Sequence, residues 1–247
     1  MQITAIIPAR YASTRFPGKP LADIQGKPMI QWVYERTRRA EYVDQVIVAT
    51  DDERIERVVQ NFGGQVRMTP SDCASGSDRA AVVAAELSSD IIINVQGDEP
   101  LVEPQAVDLL AQTLAGDKQA DMATLVCQAS DVQDLENPNM VRVVFDHQHR
   151  ALYFSRSIVP YARDIRERSD WLNAYPYYIH IGMYAYRRSF LLNYKHLRES
   201  KLEQVEKLEQ LRALENGYTI KIGIGDFKPI CVDVPDDLER VNKELKS

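Results

Sequence analysis

The 247-residue sequence is 45% hydrophobic and 27% charged, enough to bury a substantial core in one large α/β domain or two small ones. A net charge of -6 argues against a general nucleic-acid binder, and 12 prolines and 11 glycines are ordinary usage that excludes collagen-like and disordered chains. No apolar stretch approaches the length of a membrane span, MQITAIIPAR lacks the basic start of a signal peptide, and Cys73, Cys127 and Cys231 read as scattered reduced thiols, so the expected setting is the cytoplasm.

The first half alternates strand and helix. ITAIIPA is an apolar run fit for a buried strand, and KPMIQWVYERTRRA carries apolar residues at the helical period. QVIVATD is a second strand, ERIERVVQNFGG a helix closed by glycine, and GQVRMT a short third strand. SGSDRAAVVAAEL reads as a helix behind a polar N-cap, and DIIINVQGDEP as a fourth strand running into a loop. This order predicts right-handed crossovers and an open, mostly parallel, doubly wound α/β sheet.

Beyond about residue 120 the pattern changes. MATLVCQA, MVRVVFD, ALYFSRS and HIGMYAYRR read as strands without long helices between them, which predicts mixed or antiparallel pairing. KLEQVEKLEQLRALENG reads as one helix stopped at Asn216-Gly217. TIKIGIGDF and CVDVPDDLERVNKEL together add a strand or two and a terminal helix. No linker rich in Pro, Gly or Ser divides the chain, so residues 1–247 are expected to form one domain.

In such sheets ligands bind beyond the C-terminal strand ends. Pro8 to Lys19, Thr50-Asp51-Asp52, Ser75 to Arg79 and Gln96 to Pro100 all follow an apolar run or open a helix. They should therefore face one crevice. The first of them, PARYASTRFPGKP, concentrates Arg10, Arg15 and Lys19 in an acidic protein. Gly18-Lys19 superficially suggests a Walker A loop, but Ser13 stands where glycine is needed and Pro20 where Ser or Thr is needed. Pro17 and Pro20 instead stiffen the chain around Lys19. The residues alone leave two readings, a solvated basic turn or a cradle for a polyphosphate.

PARYASTRFPGKPL resembles the signature of sugar nucleotidyltransferases of open α/β fold. With NVQGDEPL, ALYFSR, HIGMYAY and LEQLRALENG, it resembles the 3-deoxy-manno-octulosonate (Kdo) cytidylyltransferase family, the CMP-Kdo synthetases of Gram-negative bacteria. The resemblance spans nearly the whole chain, from Ile6 to VDVPDDLERV. It implies a Rossmann-like nucleotide-diphospho-sugar transferase sheet, with residues to about 120 serving CTP and those from about 121 serving the sugar and dimerisation. The implied reaction joins CTP to the anomeric hydroxyl of Kdo, giving CMP-Kdo and pyrophosphate for lipopolysaccharide biosynthesis.

The resemblance also distributes roles. Pro8, Ala9, Arg10, Ser13, Arg15 and Lys19 fall to the triphosphate, with Arg10 and Lys19 as direct contacts and Arg15 as a brace. Thr50, Asp51, Ser75 and Arg79 fall to base and ribose, with Ser77 where the family usually has threonine. Asp98 and Asp233 become a metal pair for Mg2+, an ion that takes few carboxylates alongside water and phosphate oxygens. Asp98 joins Arg10 and Lys19 as catalytic. Gln96, Arg156, Arg163, His180, Tyr184, Glu209 and Gln210 become the sugar pocket. RDIRERSDWLNAYPYY is a lid or a dimer contact, and the implied assembly is a homodimer without nucleic-acid or membrane partners. Alternatives are the same transfer to 8-amino-Kdo or a neuraminate, or a non-catalytic nucleotide binder.

Overall fold

The computed structural model describes residues 1–245; the last two positions of the span read as one domain lie outside them. Its first half follows the expected alternation: β1 (Ile3–Ala9), α1 (Met29–Thr37), β2 (Gln45–Thr50), α2 (Glu53–Asn61), β3 (Val66–Met68), α3 (Gly76–Ala85) and β4 (Ile91–Asn94). Then come α4 (Pro104–Gly116), β5 (Met122–Gln128), β6 (Arg142–Phe145), β7 (Ala151–Ser155) and β8 (Tyr178–Arg187). The chain continues through α5 (Arg188–Tyr194), α6 (Lys201–Glu206), α7 (Gln210–Glu215), β9 (Ile220–Ile224) and α8 (Asp237–Glu244).

Among the described residues one sheet holds nine strands, in the main order β9-β5-β8-β4-β1-β2-β3, with β6 and β7 extending from β8. β1 lies parallel to β2 and β4, and β9 parallel to β5. β8 runs antiparallel between β4 and β5, setting Tyr184 opposite both Asn94 and Thr124. The two halves of the sequence are thus hydrogen-bonded into a single sheet.

Side-chain alternation splits the core into two layers. Ile3, Ala5 and Ile7 pack with Ile30 and Val33 of α1, Ile55 and Val59 of α2, and Leu110 and Leu114 of α4. Ile6 points the other way, with Ala80 and Ala84 of α3, Phe190 and Leu191 of α5, and Leu211 of α7. Both faces of the central strands are covered, which is why they read as unbroken apolar runs. No helix among the described residues is long and apolar enough to cross a membrane.

One feature differs from the sequence reading. The helix expected through KLEQVEKLEQLRALENG is two, because Lys207 turns into left-handed backbone at φ +55° between α6 and α7. That turn lets Glu206 reach Ser155 and the backbone of Arg156 while Leu208 and Leu211 enter the core. The CVDV segment forms no regular strand; Val232 donates its N–H to the carbonyl of Asp98 and packs with Ile24, Met29 and Val241. The charged-aromatic stretch is a compact annex in which Trp171 and Tyr177 are buried beside Leu135 and Ile179.

Candidate active site

Four loops meet over the C-terminal ends of β1 and β4 and enclose a cavity of about 280 Å³. Its walls include Pro8, Ala9, Arg10, Ser13, Arg15 and Lys19 after β1, Ser75 and Arg79 at the start of α3, Gln96, Gly97 and Asp98 after β4, and Asp233. Gly97 went unnoticed as a site residue, although no other residue fits there: a Cβ would lie 2.6 Å from the carbonyl oxygen of Pro8. The loops after β1 and β4 therefore touch backbone to backbone.

Lys19 is the centre of charge. Its Nζ lies 2.6 Å from Asp98 Oδ2 and 3.8 Å from Asp233 Oδ1, and it donates to the carbonyl of Val232 at 2.8 Å. Arg15 reaches Asp233 with both terminal nitrogens, at 3.1 and 3.4 Å, and so braces that carboxylate. Arg10 differs: among the described residues it forms no hydrogen bond or ion pair, and it faces the cavity exposed. Asp98 and Asp233 converge on one ammonium and bring together two carboxylates, the oxygen donors that Mg2+ takes. No cluster of three or more acidic, His or Cys ligands exists among the described residues.

Beside this centre Glu99 is buried, and burial together with the Asp98 charge pushes its carboxyl up to about 7. The Cys231 thiol donates to it at 3.6 Å. Tyr11, also absent from the expected set, shapes the basic loop. Its carbonyl accepts from Ser13 and Gly18, its ring covers Gly18, and the Arg54 guanidinium stacks 3.3 Å from the ring centroid. Arg54 is itself held by Asp52, the N-cap of α2.

The start of α3 forms the opposite wall. Ser75 caps the helix through the N–H of Asp78, whose carboxylate returns the bond to the N–H of Ser75. Arg79 is almost fully buried, with donors committed to Asp51 at 3.1 Å and to the Thr69 hydroxyl. It is thus a fixed wall of the cavity. Thr50 is fully buried and stands outside the cavity lining; its hydroxyl accepts from the N–H of Asp52.

A second polar group lies behind Gln96, which lines the cavity and donates to the carbonyl of Gly182 at 2.9 Å. The Thr124 hydroxyl has one proton and reaches the carbonyls of Met183 and Ile181 at 2.8 and 3.1 Å. It therefore accepts from His180 Nε2 at 2.9 Å, which assigns the proton to that nitrogen. Burial lowers the His180 pKa to about 3 and keeps the ring neutral. His180 and Tyr184 share a face with ring centroids 5.4 Å apart, and Tyr184 donates to Gln210 Oε1 at 3.0 Å. Glu209 accepts from Ser77 at 2.8 Å. Four of the seven expected sugar residues, His180, Tyr184, Glu209 and Gln210, are thus linked by hydrogen bonds and ring contacts running through Tyr186 and Ser77, while Gln96 bonds separately to the carbonyl of Gly182. Arg156 stands apart, its guanidinium on the carbonyls of Glu206 and Pro138 at 2.7 and 2.9 Å. Arg163 is exposed on the following loop, with no hydrogen bond or ion pair among the described residues.

Residues 4–222 match the cytidylyltransferase family. The chain is 53% identical to the 3-deoxy-manno-octulosonate cytidylyltransferase of Geotalea uraniireducens over 100% of both chains, and 52% identical to that of Geotalea daltonii over 100% of this chain and 99% of the relative. Among solved structures it is similar to a CMP:2-keto-3-deoxy-manno-octonic acid synthetase complexed with CTP, at 44% identity and a TM-score of 0.93, covering 100% of this chain and 99% of the other. Identity at this level over the full length leaves one conclusion: the chain belongs to the 3-deoxy-manno-octulosonate cytidylyltransferase family.

Proposed function

We propose that this chain transfers CMP from CTP to the anomeric hydroxyl of Kdo, releasing pyrophosphate, as a cytoplasmic step of lipopolysaccharide synthesis. The observation that carries the reading is the convergence of Arg10, Lys19, Asp98 and Asp233 on one cavity that shares Gln96 with a separate polar wall. A nucleotide-only binder has no use for the second wall.

Charge sets the work. A nucleoside triphosphate carries roughly four negative charges and the sugar acid one more, so the reactants repel unless cations intervene. Arg10, without a partner among the described residues, takes phosphate oxygens at no cost in broken ion pairs. Lys19 bridges phosphate to the carboxylates. Ser13 and the N-terminus of α3 add donors and a favourable dipole. Arg79, fixed by Asp51, shapes the base and ribose side.

Asp98 and Asp233 would hold Mg2+, which when bound offsets phosphate charge and makes the sugar hydroxyl more acidic. The wall of Gln96, His180, Tyr184, Glu209 and Gln210 orients the sugar hydroxyls, and Arg156 and Arg163 supply positive charge for its carboxylate. The anomeric oxygen then attacks the α-phosphorus in line; the bond to pyrophosphate breaks and the hydroxyl proton passes to solvent. Holding both reactants in that geometry is the main contribution of the fold.

The proposed assembly is a homodimer through the second half, where Leu152 and Val205 expose large apolar side chains. Mass spectrometry of the product after incubation with CTP, Kdo and Mg2+ tests the reaction. A CMP ester of Kdo supports it, and unchanged CTP contradicts it.

A further inference from the structure

Ser77 belongs to neither set of expected contacts, yet its buried hydroxyl has three partners between them. It sits on the first turn of α3, two residues after the cap Ser75 and next to Gly76, both of which line the cavity. Its side chain turns away from the cavity and is almost fully buried. There Oγ lies 2.8 Å from Glu209 Oε1, 3.1 Å from the Tyr186 hydroxyl and 3.4 Å from Asn94 Nδ2.

A serine hydroxyl donates once and accepts twice. Asn94 can only donate through Nδ2, so Ser77 gives its proton to the carboxylate and accepts from Asn94 and from Tyr186. Its capacity is then filled. Glu209 has fewer choices: among the described residues, Ser77 is the one hydrogen-bond donor to its carboxylate. The N-cap position of Glu209 on α7 leaves its direction to this bond, because its own side chain caps nothing. Gln210, the next residue, is 2% exposed, and its Nε2 has no partner while its Oε1 is taken by Tyr184. A buried donor left open beside a carboxylate held by one bond marks a surface that awaits a hydroxylated ligand.

We infer that Ser77 is a positioning residue: it holds Glu209 in the geometry that receives the sugar and ties that geometry to the helix bounding the nucleotide cavity. The inference rests on the assignment of Glu209 and Gln210 to the sugar under the proposed function. Losing the hydroxyl frees Glu209 to rotate and leaves its carboxylate short of a donor, while the cap Ser75 and the basic loop keep their own bonds. The penalty therefore falls on the sugar rather than on CTP.

Steady-state kinetics on Ser77→Ala, Ser77→Thr and Glu209→Gln test it, with CTP and Kdo varied separately. The expected result for Ser77→Ala is a KM for Kdo raised about tenfold with the KM for CTP within about twofold. Ser77→Thr, which keeps the hydroxyl, should restore the wild-type value. The double variant with Glu209→Gln should lose little more than either single one. If Ser77→Ala does not fold, Ser77→Cys takes its place, nearly isosteric and a poor donor, with the same expected split. A normal KM for Kdo in Ser77→Ala, or equal changes for both substrates, overturns the inference if Glu209→Gln still raises the KM for Kdo. A Glu209→Gln enzyme with an unchanged KM for Kdo removes the sugar role of Glu209, and the inference with it.

Discussion

Lys19 Nζ lies 2.6 Å from Asp98 Oδ2, a contact between residues on two different loops at the mouth of one cavity. Asp233 Oδ1 is 3.8 Å from the same nitrogen, so three groups far apart in sequence share one point in space. The ammonium keeps two like charges together in a half-buried setting that would otherwise separate them. Substituting Asp98 by Asn preserves volume but removes one of two carboxylates. Turnover should fall at least a thousandfold while the thermal unfolding midpoint moves by only a few degrees. Steady-state assay and calorimetry on one preparation check this; near-normal turnover would refute the metal assignment.

Arg10 and Arg15 share the basic loop and differ in what they touch. Arg10 is unpaired among the described residues and faces the cavity, whereas Arg15 is an exposed brace on Asp233. Arg10→Ala should raise the KM for CTP and lower kcat/KM about a hundredfold, and Arg15→Ala should cost less than about tenfold, since exposed ion pairs contribute little. Kinetics of the two variants side by side decide the order, and a reversed order would contradict the assignment.

His180 gives a pH dependence of stability. Burial depresses its folded pKa to about 3 against 6.5 for the free side chain. At neutral pH both folded and unfolded forms hold it neutral. As pH falls below 6.5 the unfolded chain takes up a proton that the fold refuses, so stability declines from there to about pH 3. Relative to His180→Gln, the wild-type protein should lose up to about 1.4 kcal/mol per pH unit across that window. Urea unfolding at pH 7.5 and pH 5.5 measures the difference; parallel curves would mean that the ring is not held neutral.

Lys207 occupies left-handed backbone without being glycine. Lys207→Gly should therefore stabilise the protein by about 1 kcal/mol, and Lys207→Val should destabilise it by more. Denaturant midpoints check both. If glycine there destabilises, the break between α6 and α7 is not where it is described.

The parallel half of the sheet was legible because each central strand is covered on both faces and reads as one apolar run. The crevice followed from the rule that ligands sit beyond strand ends, and it gathers Arg10, Lys19, Ser75, Asp98 and Asp233. Less could be read where tertiary contacts override local preference. The leucine period through residues 201–215 suggested one helix, yet the bonds of Glu206 to Ser155 and Arg156 depend on a strand fifty residues earlier. α4 was open to detection, with Pro104 at its first turn and Val107, Leu110 and Leu114 at helical spacing. Ser77, Asn94, Thr124 and Glu99 could not be found by pattern, because a buried polar residue declares itself only through its partners. The sugar wall rested mainly on resemblance, since its members come from a loop, a strand and a helix that meet only after β8 inserts between β4 and β5.

The transfer itself is tested most directly by the initial rate of pyrophosphate release with CTP, Kdo and Mg2+ each omitted in turn, and with N-acetylneuraminate or 8-amino-Kdo replacing Kdo. Release that needs all three components and is fastest with Kdo is the expected result. Release that persists without the sugar, or tight CTP binding with no release when all three are present, would contradict it.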